Sequence, residues 1–115
     1  MSSEISTPSF VESYMNDRQL EGLTANVFHC PGNNYNHVWK YLHDKSNLFK
    51  SSDLIVIDNW YKHPLTGSSR QAFMDWNSNQ TRFLIEELNI SDHYNTKVFI
   101  VIKQLHQEDY YEWSD

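Results

Sequence analysis

GNNYNHVWKYL, residues 32–42, is the segment of this 115-residue chain that says most about its fold. Gly32 suits a loop, and it precedes Asn34, whose side chain can cap the start of a helix. Apolar side chains then recur at the spacing i, i+3, i+4, i+7, which places them on one side of a helix: Tyr35, Val38, Trp39 and Leu42. The segment predicts an amphipathic helix from about Asn34 to Asp44, with Trp39 packed in the core rather than serving as a binding anchor.

Two uninterrupted apolar runs predict buried strands, Leu54–Ile57 and Val98–Ile102, because strands covered on both faces in a parallel sheet lack alternation. A third strand is expected from residues 1–6 or 25–29. Between these elements, two capping boxes predict helices over about Phe10–Leu20 and from Ser69 to about Leu88. The fold class is therefore predicted as α/β, with a small three-stranded parallel sheet packed with three or four helices.

Length and charge limit the function classes. We expect residues 1–115 to form one domain, with loose tails at 1–8 and 105–115. The net charge of −6 argues against direct binding to nucleic acid or to an anionic membrane, since phosphates are held by clustered lysines and arginines. The longest apolar run is too short to span a membrane, and the start of the chain lacks the pattern of a signal peptide. A single cysteine, Cys30, excludes a disulfide within the chain, so a cytoplasmic protein is expected.

The segment 32–42 resembles the signature helix of the barstar family, the small intracellular inhibitors of barnase-like ribonucleases. The family pattern reads roughly Gly-x-Asn-(Leu/Trp)-Asp-Ala-(Leu/Phe)-Trp-Asp-x-Leu. Matching or conservatively changed residues here are Gly32, Asn34, Tyr35, Val38, Trp39 and Leu42. The order of predicted helices and strands over residues 9–103 is also similar. The resemblance implies a barstar-like architecture and a protein that binds and occludes a toxic nuclease, as an immunity or antitoxin protein.

Two departures from the family pattern concern the binding face itself. The family's helix aspartates, which meet the cationic active site of the ribonuclease, are replaced by Asn36 and Lys40. Lysine inverts the charge, and a like-charge contact costs several kcal/mol in such interfaces. The toxin is therefore expected not to be a close relative of barnase. The family's acidic residue late in the third helix corresponds to Glu86 or Glu87, and the register leaves both open.

The resemblance also indicates which residues meet the partner. On the signature helix they are Asn33, Asn36, Lys40 and His43, with Glu86 or Glu87 as an acidic contact. Taken without the resemblance, Asn36, Lys40 and His43 are a solvated helix face. The expected partner is a protein, a basic nuclease or toxin, and no cofactor is expected.

Other chemistry-bearing residues have simpler interpretations. The spacing of His29, Cys30, His37 and His43 does not fit a zinc site, so no metal is expected. Asp58, with Asn59 and His63, follows a strand at the place where α/β folds position ligand groups. A polar strand end with a capping role is favoured there over a catalytic site. We therefore expect no catalytic residue and no enzyme.

Two rival functions remain. One is an acidic decoy that mimics nucleic acid and blocks a restriction or defence enzyme, although 15 acidic and nine basic residues make a sparse mimic. The other is a small nucleotide-processing α/β enzyme that uses Asp58, Asn59 and His63. The C-terminal segment 107–115 interleaves acids with aromatic residues, a composition that can bind a basic surface but that is also common in solvated chain ends.

Overall fold

The computed structural model describes residues 8–61, 68–90 and 95–105 of the chain. It has three α-helices, α1 to α3, and four strands, β1 to β4, so the α/β class is confirmed. The helices are Ser9–Leu20, Tyr35–Lys45 and Ser69–Asn79, and the strands are Val27–Cys30, Leu54–Ile57, Phe83–Glu87 and Lys97–Gln104. A 3₁₀ turn, Ser46–Leu48, follows α2. The tails expected at 1–8 and 105–115 lie outside the described residues except for Pro8 and Leu105.

The four strands form one mixed sheet in the order β1-β2-β4-β3. Strands β1 and β2 are parallel, whereas β4 is antiparallel to both of its neighbours. The prediction of a three-stranded parallel sheet is therefore wrong, although β1 does supply the strand sought at 25–29. Because β3 runs antiparallel to β4, it is parallel in direction to β2. Helix α3 connects β2 to β3, and β4 returns between them, which is a split βαβ arrangement.

The extra strand arises because α3 ends earlier than the sequence pattern predicts. The helix stops at Asn79 instead of continuing to Leu88, and Gln80 adopts an extended backbone with ψ of 145°. The Gln80 side chain accepts hydrogen bonds from the backbone N–H groups of Arg82 and Phe83, both at 2.9 Å. Its amide also donates to the Phe83 carbonyl oxygen at 2.9 Å. This side chain stabilises the turn that converts a helix into strand β3.

The helices begin close to the predicted residues, and the predicted side-chain caps are confirmed for two of them but not for the third. The side chains of Asn34 and Ser68 accept hydrogen bonds from the backbone three residues on, at 2.9 and 3.0 Å, and cap α2 and α3. Pro8 occupies the N-cap position of α1 without a side-chain hydrogen bond, so the capping box predicted there is wrong. Gly22, with φ of +81°, ends α1 as expected.

The sheet buries a different core on each face. Helices α2 and α3 cover one face with an aromatic cluster centred on Phe49, whose ring contacts Phe28, Trp76 and Phe83 edge-on at centroid distances of 4.8 to 6.0 Å. Helix α1 covers the other face, where Val11 packs on a smaller aliphatic cluster: Leu54, Val56 and Val98. The aromatic core makes α2 and α3 a rigid layer, since edge-to-face ring pairs contribute beyond the area that they bury.

Three chain segments meet at Gly32, next to the carboxyl ends of β1 and β2. Gly32 has φ of +69°, and its carbonyl oxygen accepts a hydrogen bond from the Ser69 hydroxyl at 2.9 Å. A Cβ at this position would collide with the backbone oxygen of Asp58. Asn59 donates to the Pro31 carbonyl oxygen at 2.9 Å. This junction, residues 31–32, 58–59 and 69, fixes the starts of α2 and α3 against the end of β2.

A glycine-to-alanine pair tests the junction. Gly22→Ala carries only the cost of a left-handed backbone, about 1 kcal/mol, because nothing lies within 4 Å of the new Cβ. Gly32→Ala adds the collision with Asp58, so we expect it to lower the free energy of unfolding by at least ~3 kcal/mol. Urea unfolding followed by tryptophan fluorescence measures both. Equal losses for the two variants would show that the close approach at Gly32 does not matter.

Candidate functional site

The outward side of α2 carries three of the four residues predicted to meet a partner, and Asn33 lies in the loop just before the helix. Asn33, Asn36, Lys40 and His43 are all exposed, while Val38 and Leu42 on the inward side are fully buried. The solvated face predicted for this helix is therefore confirmed. The Lys40 ammonium lies 3.5 Å from the Asp44 carboxylate, and both side chains are more than half exposed. Such a pair contributes little to stability, but it offsets the charge of Lys40.

Trp39 does not lie in the core. Its side chain is 38% exposed, and its ring stacks on His43 with 5.0 Å between centroids and 14° between planes. The prediction that Trp39 packs inward is wrong because position 39 lies at the edge of the apolar stripe. The inward positions contact the sheet, whereas Trp39 extends toward the C-terminal half of α3. The spacing of apolar residues alone does not predict the exposed stack of Trp39 on His43.

A cleft of about 400 Å³ opens beside this stack, between the C-terminal ends of α2 and α3 and the start of β3. We call it the α2–α3 cleft. Its walls include the rings of Trp39, Trp76 and Phe83, together with hydroxyl and amide side chains. Its charged or titratable lining residues are Arg82 and His43, and no acidic residue is among the described residues that line it. The cleft therefore suits an anionic ligand with an aromatic or planar part.

Arg82 is held in place at the edge of this cleft. Its guanidinium donates to the Ser46 carbonyl oxygen at 3.2 Å and lies 4.9 Å from the centre of the Phe83 ring. The position of Arg82 was not predicted, because the apolar spacing favours a continuous helix through this residue, whereas α3 ends at Asn79. The polar run just before it, residues 77–81, was the available signal, since asparagine, serine and threonine are poor in helix interiors.

Glu86 and Glu87 lie on the outer strand β3 rather than late in a helix. As consecutive strand residues they point to opposite faces of the sheet, opposite Ile100 and Phe99 respectively. Glu87 accepts a hydrogen bond from the Lys97 ammonium at 3.1 Å. Both acids lie at the far end of β3 from the α2–α3 cleft. The helix-based placement is therefore wrong, and the structure does not group these acids with His43.

A second polar cluster crosses three strands on the face covered by α1. The His29 Nε2 lies 2.7 Å from a carboxylate oxygen of Asp58, whose other oxygen accepts a hydrogen bond from the Thr96 hydroxyl at 3.0 Å. Asp58 lies at the strand end predicted for it, whereas its contact with His29 was not predicted, because the sequence left open whether the third strand lay at 1–6 or 25–29. His63, its expected partner, lies outside the described residues, and Asn59 bonds to the backbone instead.

The geometry of this cluster fits a structural role, in which side chains join neighbouring strand ends, rather than a catalytic one. The His29 side chain is only 8% exposed, its Nε2 is engaged by Asp58, and its Nδ1 is buried without a hydrogen-bond partner. A general base needs a ring nitrogen within reach of a substrate proton, directly or through one water. Neither nitrogen of His29 meets that requirement. The arrangement links the ends of β1, β2 and β4.

Cys30 is buried among the aromatic core residues and makes no disulfide. The pKa of its thiol is raised to about 11, chiefly by burial and also by the nearby Asp58 charge, while a hydrogen bond with the Gly32 backbone acts in the opposite direction. Such a thiol is a poor nucleophile at neutral pH, because reactivity belongs to the thiolate. Within residues 8–61, 68–90 and 95–105, no group of three His, Cys, Asp or Glu side chains is placed to hold a metal ion.

Comparisons with known proteins add no relative. No protein-family model, curated protein or solved structure matches this chain. Of the helices in the described part of the chain, none combines the length and the apolar character needed to cross a membrane.

Two tryptophan variants separate the exposed ring from the core. Trp76 is 5% exposed and contacts both Phe49 and Phe73, so Trp76→Ala is expected to lower the free energy of unfolding by about 3–5 kcal/mol. Trp39→Ala removes a partly exposed ring and should cost about 1 kcal/mol or less. Urea denaturation of both variants measures the difference. Equal destabilisation would place Trp39 in the core after all.

Alkaline pH provides a test of the Cys30 environment. The native thiol keeps its proton to higher pH than the unfolded thiol, so the native state binds more protons between these values and stability falls as pH rises. From pH 8 to pH 10 this group should account for a loss of about 1 kcal/mol in the free energy of unfolding. In Cys30→Ala that part of the loss should disappear. The pKa of Tyr41 is raised to about 12, chiefly by burial and also by the Cys30 charge, so the burial part of the Tyr41 contribution remains. Identical pH profiles would contradict the assignment.

Proposed function

We propose that this chain is a cytoplasmic protein inhibitor of barstar type, which binds a toxic nuclease and occludes its active site. The observation that carries the proposal is the exposed stack of Trp39 on His43, on a helix whose other exposed residues are polar. Tryptophan is enriched among the residues that dominate binding energy at protein interfaces. The surface formed by Asn33, Asn36, Trp39, Lys40 and His43, here the α2 flank, is the proposed contact surface.

The α2 flank is held rigidly, as an occluding surface requires. Asn34 caps the helix, and the Tyr35 hydroxyl donates to the Asp75 carboxylate on α3 at 2.7 Å. The junction at Gly32 adds a second link between the two helices. A surface that is already ordered loses little conformational entropy on binding, so more of the contact energy remains as affinity.

Charge defines the part of the toxin that the α2 flank can meet. The flank carries Lys40 and His43, and Asp44 is the acid that offsets them. It therefore fits a neutral or acidic patch beside the toxin active site, rather than the cationic centre itself. The net charge of −6 on the whole chain still favours approach to a basic nuclease and makes association sensitive to salt.

Acidic contacts must then come from elsewhere on the chain. Exposed acids occur on α1 at Glu12 and Asp17, directly after it at Glu21, and on β3 at Glu86 and Glu87. Of these, Glu86 and Glu87 remain proposed partner contacts at the edge of the sheet. They would extend the interface beyond α2 to the opposite end of β3.

Part of the architecture supports the barstar resemblance and part departs from it. A helix, a loop with glycine, the signature helix as the crossover between parallel strands, and a further helix occur in the expected order through residue 79. Strand β3 and the antiparallel β4 are not expected from that resemblance. The proposal is supported by the first five of the seven described helices and strands and by the α2 flank.

The rival functions have less support. A nucleic-acid mimic needs free, regularly spaced carboxylates, yet many described acids already bond within the fold: Asp44, Asp53, Asp58, Asp75 and Glu87. The enzyme rival uses Asp58, Asn59 and His63. Asp58 is already engaged by His29 and Thr96, Asn59 bonds to the Pro31 carbonyl oxygen, and His63 lies outside the described residues. Binding through α2 is the function that the geometry supports best.

Affinity capture followed by a nuclease assay tests the proposal. The tagged full chain should capture a basic protein with nuclease activity, release it as salt rises, and inhibit it in the purified pair. Trp39→Ala and His43→Ala should each weaken binding by about tenfold or more, because truncating a central interface residue costs 1 to 2 kcal/mol or more.

Leu20→Ser is the matched control, since Leu20 is 88% exposed at the end of α1, away from the α2 flank. It should bind as the unaltered chain does. If the captured protein has no nuclease activity, or if the α2 variants bind as tightly as the control, the proposed function is wrong.

A further inference from the structure

The α2–α3 cleft presents positive charge and aromatic rings without any acid of its own among the described residues. Arg82 is fixed at its edge by Ser46 and Phe83, and His43 faces it from α2. Trp39 and Trp76 supply ring surfaces nearby. A complementary occupant would combine carboxylates with aromatic side chains, because guanidinium groups pair with carboxylates and rings stack on exposed tryptophan.

The chain leaves the sheet beside this cleft. Strand β4 ends at Gln104, which is opposite Phe83 in the sheet register. The backbone N–H of Leu105 then donates to the Arg82 carbonyl oxygen at 2.6 Å. Residue 106 therefore comes directly after a residue that is hydrogen-bonded to the backbone of Arg82, and Arg82 lines the cleft.

The segment that follows has the complementary composition. Residues 106–115 read HQEDYYEWSD, with four acids and three aromatic rings and with neither lysine nor arginine. Ten residues reach up to about 33 Å when extended, enough to cross the cleft in several backbone conformations. A short tether of this kind gives an effective concentration in the millimolar range, so even a weak contact would be well populated.

We propose that segment 106–115 binds in the α2–α3 cleft of its own chain, with carboxylates on Arg82 and His43 and an aromatic ring against Trp39. The contact covers the residues that form the centre of the α2 flank. A partner that binds Trp39 must therefore displace the segment, which lowers its apparent affinity in proportion to the occupied fraction. The intramolecular contact does not depend on any partner, so an experiment on the isolated chain tests it independently of the proposed function.

Paramagnetic relaxation in the isolated full chain provides the test. A nitroxide is attached at Ser114→Cys in a Cys30→Ala background, and amide and indole signals are recorded by NMR without any partner. We expect strong broadening at Trp39, His43 and Arg82, and little at Leu20. Raising the salt to about 1 M should reduce the broadening severalfold, because the charged contacts are screened at that ionic strength.

Matched variants identify the charges involved. Arg82→Gln should reduce the broadening at Trp39 at least threefold, whereas Lys97→Gln, which removes a cation at the opposite end of β4 from the cleft, should leave it unchanged. Since Arg82 also contacts Ser46, a second variant replaces the acids at the other end of the contact, with Glu108→Gln, Asp109→Asn and Glu112→Gln combined. Those residues follow the last strand, so their loss leaves the sheet and helices intact, and the broadening should again fall threefold.

Two results would overturn the proposal. One is broadening that is absent from the cleft or insensitive to both sets of variants. The other is equal broadening in an isotope-labelled chain without a nitroxide when it is mixed with spin-labelled chain. That result would make the segment of a second copy the occupant.

Discussion

The close approach of the Gly32 backbone to the end of β2 is the constraint on which the rest of the structure depends. The backbone oxygen of Asp58 occupies the space where any other residue would carry Cβ. The Ser69 hydroxyl also donates a hydrogen bond to the Gly32 carbonyl oxygen. Helices α2 and α3 consequently start side by side and run in the same direction over the sheet. Their far ends, together with the start of β3, enclose the α2–α3 cleft.

Elements with strong local signals could be predicted from the sequence. Helix α2 combines an asparagine cap with a stripe of apolar residues, and β2 is an apolar run that the structure buries completely. Strand β3 could not be found in this way, because Phe83, Leu84 and Leu88 continue a spacing that also fits a helix. The Gln80 side chain accepts hydrogen bonds from the backbone N–H groups of Arg82 and Phe83, and these bonds favour a turn and a strand over a continued helix. The direction of β4 depends on that same turn, so one missed helix end produced the wrong sheet.

The candidate site was predictable in part for similar reasons. Exposure of Asn36, Lys40 and His43 follows from the helical period, and the structure confirms it. Trp39 lies at the boundary of the stripe, where the period alone does not decide between core and surface. The pairing of His29 with Asp58 and the position of Arg82 depend on contacts between residues 29 and 36 positions apart. Local patterns carry no information about such contacts.

The two adjacent acids on β3 have one more consequence. Strand β3 is at the end of the strand order, and within the described residues no further strand lies beyond it. An outer strand with free backbone groups is a template on which a foreign chain can add and start aggregation. The exposed Glu86 carboxylate, with Glu87 whose charge Lys97 partly offsets, opposes such addition through repulsion between identical copies. Glu86 and Glu87 therefore help to keep the protein dispersed at high concentration, whatever else they contact.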